Sequence, residues 1–119
     1  MVFKQHVADK TNWRDMLKGK AAELDMAGER DRLLAACEED INELTDRFGF
    51  FAISVLKGID PVSIDYPVQA YPEKITSLNF DKGQVVSGTL KGIKGQYLIF
   101  DSGVINLRRF SGYEVELQA

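Results

Sequence analysis

The sequence predicts an α+β fold in which N-terminal helices pack on a curled antiparallel β-sheet or a small, partly open barrel. Apolar residues recur every three or four positions up to about residue 48, as in helices, and every second position after residue 74, as in strands. Glycine-rich turns between the later short strands favour sharp bending of the sheet. The 119 residues predict a single domain over 1–119, with a helical part at about 1–48 and a mainly β part at about 50–119.

Two helices are predicted before residue 50. The first runs from Thr11 to Lys18, with Thr11 or Asn12 as its N-cap and Gly19 after its end. The second begins between Asp25 and Glu29 and continues to about Arg47. Its predicted buried stripe consists of Leu33, Leu34, Cys37, Ile41, Leu44 and Phe48.

The rest of the chain predicts short strands joined by tight turns. They lie at Phe50 to Leu56, Thr76 to Phe80, Val86 to Leu90, Gln96 to Phe100, Val104 to Leu107 and Tyr113 to Leu117. Asp101-Ser102-Gly103 is predicted to form a three-residue hairpin loop, and Gly92 to Gly95 a turn. Tyr66-Pro67 and Tyr71-Pro72 predict a sheet edge or irregular backbone, because proline lacks the N–H that a ladder needs.

Composition argues against several protein classes. The single cysteine, Cys37, cannot form an internal disulfide or a Cys-based zinc cage, which favours a reducing compartment. The first ten residues lack the pattern of a signal peptide, and the apolar stretch from Phe48 to Leu56 is far shorter than the roughly 20 residues of a spanning helix. We therefore expect a cytoplasmic protein without a membrane segment, cofactor or metal ion.

One segment carries a basic excess although the whole chain has a net charge of −3. Between Lys82 and Tyr113 there are five basic residues against Asp101 alone. The predicted nucleic-acid-binding residues are the four cations Lys91, Lys94, Arg108 and Arg109, which would contact phosphates, and the aromatic residues Tyr97 and Phe110, which would stack on unpaired bases. The alternative is a charged sheet edge that opposes aggregation, with both aromatic rings in the core.

Other chemically capable residues favour structural roles. His6, with Asp9 or Asp15, lies near a terminus and is predicted to be a surface histidine rather than a catalytic base. Cys37 is in register with the apolar stripe and is predicted to be a small core residue.

Three further features also have simple structural interpretations. The acidic residues Glu38, Glu39, Asp40, Glu43 and Asp46 predict a solvated helix face rather than a cation site. Trp13 has the spacing of a core residue, with ligand stacking as the alternative. Gly92 to Gly95 lacks the Walker pattern and leads into a strand, so a phosphate loop is not expected.

Two stretches together support a family resemblance: HVADKTNWRDMLKG from His6 to Gly19 and GIKGQYLIFDSGVINLRRFSGY from Gly92 to Tyr113. With the Tyr-Pro pairs and Ile75 to Phe80, they resemble the C-terminal half of an uncharacterised bacterial family, domain of unknown function number 2797. The resemblance implies longer relatives with N-terminal cysteine pairs that suggest zinc and a central segment similar to GIY-YIG nucleases. This chain has neither feature, so the resemblance implies a C-terminal module and transfers no functional residue.

Three functions follow as hypotheses. The leading hypothesis is a non-catalytic accessory or binding module with nucleic acid as its partner. The second is a structural module that docks on a missing N-terminal region or on a second copy of itself, and it predicts an exposed apolar patch. An independent enzyme is the least expected, because no nucleophile, base or metal-ligand pattern stands out.

Overall fold

The structure, a computed structural model, describes residues 2–8 and 10–119. The chain forms two compact units, which are described separately. The helical unit comprises Met1–Thr11 and Ala22–Ser63, and the sheet unit comprises Asn12–Ala21 and Ile64–Ala119. Helices and an antiparallel sheet are both present, which confirms the α+β class. The single-domain prediction stays a prediction.

The helical unit contains two helices where the sequence predicts one. After a 3₁₀ helix at Val2–Gln5, α2 spans Met26–Ala36 and α3 spans Glu38–Phe48, whereas α1, Trp13–Leu17, belongs to the sheet unit. The predicted start is confirmed, because Asp25 caps α2 by accepting a 3.0 Å hydrogen bond from the Gly28 N–H.

The break between α2 and α3 lies at Cys37, whose ψ of 9° departs from helical geometry. Hydrogen bonds still cross the break, since the Cys37 N–H donates to the Leu33 carbonyl and the Ile41 N–H donates to the Cys37 carbonyl. The three-to-four-residue periodicity therefore continues through the break. Because periodicity alone does not reveal the break, the prediction of one helix was wrong. A signal for the second start was present in Glu38, Glu39 and Asp40, which place negative charge in the first turn of α3.

The apolar residues after α3 are exposed rather than paired in a sheet. Gly49, with a φ of 96°, ends α3, and a turn follows over residues 50–52. The predicted strand from Phe50 to Leu56 is wrong, because no neighbouring chain segment in the described structure supplies ladder partners. Phe48, the last member of the predicted stripe, is also exposed, whereas Cys37 is buried as expected.

The sheet unit begins with the short helix α1, Trp13–Leu17, inside the predicted span. The Asn12 side chain caps it by accepting from the Asp15 N–H at 3.3 Å. Three antiparallel strands follow in the order β1-β2-β3: Leu90–Lys94, Tyr97–Phe100 and Val104–Asn106. This sheet is open, and a 3₁₀ helix at Leu107–Phe110 follows β3.

The hairpin between β2 and β3 agrees with its prediction. Asp101-Ser102-Gly103 forms the loop, the Phe100 N–H donates to the Gly103 carbonyl at 2.8 Å, and Gly103 has a φ of 153°. A β-carbon at Gly103 would lie 2.5 Å from the Thr76 carbonyl oxygen, so this position also needs glycine for space.

Three other strand predictions and one turn prediction need correction. Residues 76–80 contribute only an isolated bridge between Ser77 and Val104, and residues 86–89 precede β1 without pairing as a strand. Gly92 to Lys94 belong to β1, so the turn is confined to Gly95 and Gln96. The alternating segment 113–117 is exposed and unpaired, because alternation predicts one face for burial but supplies no partner strand.

Most of the buried apolar side chains lie in the sheet unit. Leu17 of α1 packs with Tyr97, Ile99 and Val104, and Trp13, Met16, Val68 and Ile75 surround this cluster. Among the described residues, six of the seven buried apolar side chains are in the sheet unit, and Cys37 is the seventh. The core therefore positions α1, β2, β3 and the segment after β3 against one another.

Candidate nucleic-acid interface

The structure places the four predicted cations at two edges of the sheet. Lys91 and Lys94 lie on β1, and Arg108 and Arg109 lie in the 3₁₀ helix after β3. Since β2 separates β1 from β3, these two strands are roughly 10 Å apart, and the two pairs of cations lie toward opposite edges of the sheet. All four cations therefore lie in the sheet unit, but they do not form a single cluster.

Lys94 is held inside the sheet unit. Its ammonium donates to the Met16 carbonyl at 3.1 Å and to the Tyr71 hydroxyl at 3.2 Å. It also lies 4.8 Å from the Tyr71 ring centroid and 5.7 Å from the Tyr66 ring centroid, within the range of cation–π attraction. These contacts join α1 and the two Tyr-Pro pairs to β1, so the ammonium already has partners.

Lys91 is half-buried and faces an acidic residue. Lys91 and Asp101 line a cleft of about 220 Å³. The Thr89 N–H donates to the Asp101 carboxylate at 2.9 Å, and this hydrogen bond lowers the pKa of Asp101 below its ordinary value, with a smaller contribution from the Lys91 charge. Part of the Lys91 charge is therefore balanced locally.

Arg108 and Arg109 are exposed on the 3₁₀ helix. Asn106 caps this helix through its side-chain oxygen, which accepts from the Arg108 N–H at 3.1 Å. In the described part of the chain, the two ion pairs are Arg30 with Asp31 and Arg32 with Glu29, both in the helical unit. Neither exposed arginine of the 3₁₀ helix thus forms an ion pair with a described carboxylate.

The two predicted stacking residues are buried. Tyr97 is 9% exposed and stacks on Trp13 with ring centroids 6.0 Å apart. Phe110 is 5% exposed and packs edge-to-face against Phe80 and Tyr113. Both rings are therefore packed in the core, and little of either is exposed.

A cleft is lined both by these aromatic residues and by the exposed Arg109. It has a volume of about 230 Å³, and its lining includes Trp13, Ser77, Tyr97, Asn106, Arg109 and Phe110. All of them belong to the sheet unit.

Arg14 is a candidate that sequence analysis missed. Its guanidinium lies 4.5 Å from the ring centroid of Trp13, so a second arginine stands beside a wall of this cleft. No local pattern marks it, because Arg14 and Arg109 are far apart in sequence and only the fold brings α1 to the end of β3. We call Arg14, Arg108 and Arg109 the arginine rim.

The remaining candidates have structural surroundings. His6 is exposed in a turn, Asp9 lies outside the described residues, and the Asp15 carboxylate accepts from Asn12 Nδ2. Trp13 packs against the core cluster as predicted and also lines the cleft.

Neither a metal-binding group nor a membrane span is found in the described part. Nowhere in residues 2–8 and 10–119 do three or more His, Cys, Asp or Glu side chains come together as a metal site would require. The helices within the same residues are too short or too polar to cross a membrane.

Comparison with known proteins identifies a family. No curated protein and no solved structure shows significant similarity to this chain. The family model described as Protein of unknown function (DUF2797) matches residues 1–115, nearly the whole chain. Both stretches that carry the resemblance, 6–19 and 92–113, lie within that match and contribute α1, most of the sheet and the arginine rim. The chain therefore belongs to the DUF2797 family.

Proposed function

We propose that this chain is a nucleic-acid-binding module whose contact surface is the arginine rim of the sheet unit. The observation that carries the proposal is that Arg109 lines the cleft, Arg14 lies on the ring of its wall residue Trp13, and Arg108 adjoins Arg109 in the exposed 3₁₀ helix, all without ion pairs to described carboxylates. Lys91 and Lys94 contribute less, because Asp101 lies near the first and Met16 and Tyr71 bind the second.

The charge distribution supports this proposal. The sheet unit contains 9 basic and 7 acidic side chains, a net charge of +2, whereas the helical unit contains 6 basic and 11 acidic side chains, a net charge of −5. The acidity of the whole chain thus comes from the helical unit. A local positive potential is sufficient to attract phosphates at low ionic strength.

The test is fluorescence polarisation with labelled single-stranded and duplex DNA and RNA over a range of salt concentrations. If three arginines neutralise three phosphates of a single strand, the logarithm of the association constant should fall with the logarithm of salt concentration with a slope of roughly −2. Polarisation that stays flat even at low salt would contradict the proposal.

A double variant locates the surface. Replacing Arg108 and Arg109 with Ala should weaken binding and reduce the magnitude of the salt slope by about 1.4, since two phosphate contacts are lost. The matched control replaces Lys74 and Lys82, two exposed lysines of the same unit, with Ala. It removes the same charge, so an equal effect of both variants would assign binding to net charge rather than to the arginine rim.

An exposed apolar segment favours a second candidate function, self-association through the helical unit. Phe48, Phe50 and Phe51 are 61%, 79% and 98% exposed. If a fully exposed Phe side chain presents about 200 Å², these three present roughly 500 Å². A standard interface buries about 800 Å² per partner, so the segment supplies a large part of that requirement.

The backbone after these aromatic residues suits pairing with a second copy. Residues 53–57 form no backbone hydrogen bond with described residues, although their apolar sequence resembles a strand. Antiparallel pairing with the same segment of a second copy would satisfy these groups across a two-fold axis.

Light scattering coupled to size-exclusion chromatography tests the second candidate. A dimer of the unchanged chain that dissociates in Phe51→Lys, but not in the Leu117→Lys control, would support it. Both residues are highly exposed, so neither variant should disturb folding. A monomer at all accessible concentrations would exclude it.

A further inference from the structure

The cleft beside the arginine rim has the size of one small ring system. Its volume of about 230 Å³ equals the space of roughly eight water molecules. Trp13, Tyr97 and Phe110 supply aromatic walls, and Leu78 and Val104 add apolar surface. These walls favour a flat, partly apolar group over a hydrated ion or an extended polar chain.

Polar groups at this cleft match the edge of a nucleobase. Asn106 and Ser77 both line it. The Asn106 side-chain oxygen is used by the Arg108 N–H, whereas its Nδ2 makes only a long 3.4 Å contact with the Tyr97 hydroxyl. An amide nitrogen has two N–H groups, so at least one donor remains for a base carbonyl or ring nitrogen. The Ser77 hydroxyl can donate or accept beside it.

Positive charge stands where the phosphates of a bound nucleotide would lie. Arg109 lines the cleft, and Arg14 lies against Trp13 on its wall. A base paired within a duplex has its recognition edge occupied and both faces stacked, so it could not enter a cleft of this size. An unpaired base is free to turn out of its strand and present its edge.

We infer that this cleft binds a single unpaired nucleobase, whose adjacent phosphates are held by Arg109 and Arg14. The inference rests on the proposed function and makes it specific: the module should prefer single-stranded over duplex nucleic acid. Asn106 and Ser77 contact the base edge, and the aromatic walls exclude water from its ring.

Trp13 is the only tryptophan of the chain, so its fluorescence reports directly on the cleft. The experiment compares a short single-stranded oligonucleotide with an abasic oligonucleotide of the same length and phosphate number. The base-containing strand should bind about tenfold more tightly, the range expected for one base–aromatic contact, and should change the Trp13 emission. Equal affinity and equal emission for both strands would overturn the inference while leaving phosphate binding by the arginine rim intact.

Two variants and one competitor complete the test. Ser77→Leu fills part of the cleft at an exposed position and should abolish the preference for the base-containing strand, whereas Ser87→Leu, exposed and outside the cleft, should retain it. Loss of the preference in both variants, or in neither, would contradict the assignment. A free nucleoside monophosphate should compete weakly. If it binds as tightly as the strand, the assignment of the cleft as a base-binding site holds, but its proposed role in strand binding is contradicted.

Discussion

The sheet unit and the helical unit differ in the way that each buries its apolar residues. In the sheet unit, α1 and two strands enclose Leu17, Ile99 and Val104, and the net charge is +2. In the helical unit, Cys37 is the buried apolar residue among those described, exposed phenylalanines follow α3, and the net charge is −5. The sheet unit thus has a fully buried apolar core, whereas the described apolar side chains of the helical unit other than Cys37 are half-buried or exposed.

This difference shows where each unit obtains its stability. α2 and α3 have 11 residues each, and helices of that length are marginal in water without tertiary packing. The helical unit relies on local features such as the Asp25 cap and the acidic first turn of α3, each worth about 1 kcal/mol or less. Burial of an aliphatic side chain in the sheet unit contributes about 1.5–3 kcal/mol. The following predictions test this contrast.

The largest effect is expected for Ile99→Ala. Ile99 is 1% exposed in the central strand, so its truncation should lower the free energy of unfolding by about 2–5 kcal/mol. Leu34→Ala, at a half-buried position of α2, should cost only about 1 kcal/mol. Urea unfolding followed by Trp13 fluorescence for the sheet unit and by circular dichroism for the helices measures both. Equal losses of unfolding free energy would show that apolar burial stabilises the two units to the same extent.

Gly92→Ala should be the next most damaging change. A β-carbon at Gly92 would lie 2.9 Å from the Cα and from both Cγ atoms of Val68, which is bridged to Gly92. The strand and the Tyr-Pro segment would have to separate, at a cost of about 1–3 kcal/mol. Gly83→Ala is the control, because nothing lies within 4 Å of its β-carbon position and its φ is not positive. A thermal shift as small as that of the control would contradict the packing of these two segments.

Lys94→Met should distinguish a structural lysine from a phosphate-binding one. The variant keeps the aliphatic stem but loses the hydrogen bonds to Met16 and Tyr71, and a loss of about 1–2 kcal/mol is expected. Lys82→Met, at an exposed position, should change stability by less than about 0.5 kcal/mol. If Lys94→Met weakens nucleic-acid binding without lowering the melting temperature, Lys94 belongs to the interface instead.

The smallest effect is expected in the pH dependence of the melting temperature, through Asp101 at the end of β2. The pKa of Asp101 is lowered in the folded state by the Thr89 N–H, so the carboxylate stabilises the fold above its unfolded pKa, near 3.8. That contribution is lost as the pH falls through the lower folded pKa. The melting temperature of the unchanged chain should therefore fall more steeply below about pH 4 than that of Asp101→Asn. Parallel curves would show that the hydrogen bond contributes nothing to stability.

Local chemistry explains most of what could be predicted about the fold. The Asn12 and Asp25 caps, the strands around 96–100 and 104–107, and the loop at 101–103 depend on residues close in sequence. The strands predicted at 50–56 and 113–117 failed because strand pairing needs a distant partner that no local pattern reveals. In the candidate site, Arg108 and Arg109 were predicted, whereas the engagement of Lys94 and the position of Arg14 were not.

The sequence by itself determined the α+β class, the family, the central hairpin and the basic character of the segment around it. These properties follow from periodicity, turn chemistry and charge, which act over a few residues. Only the tertiary structure decided which cations are exposed, because α1 packs on the sheet, binds the Lys94 ammonium through the Met16 carbonyl and places Arg14 on Trp13, a wall of the cleft that Arg109 also lines. Burial of Tyr97 and Phe110 was decided in the same way, since an apolar core selects its members by their positions in space.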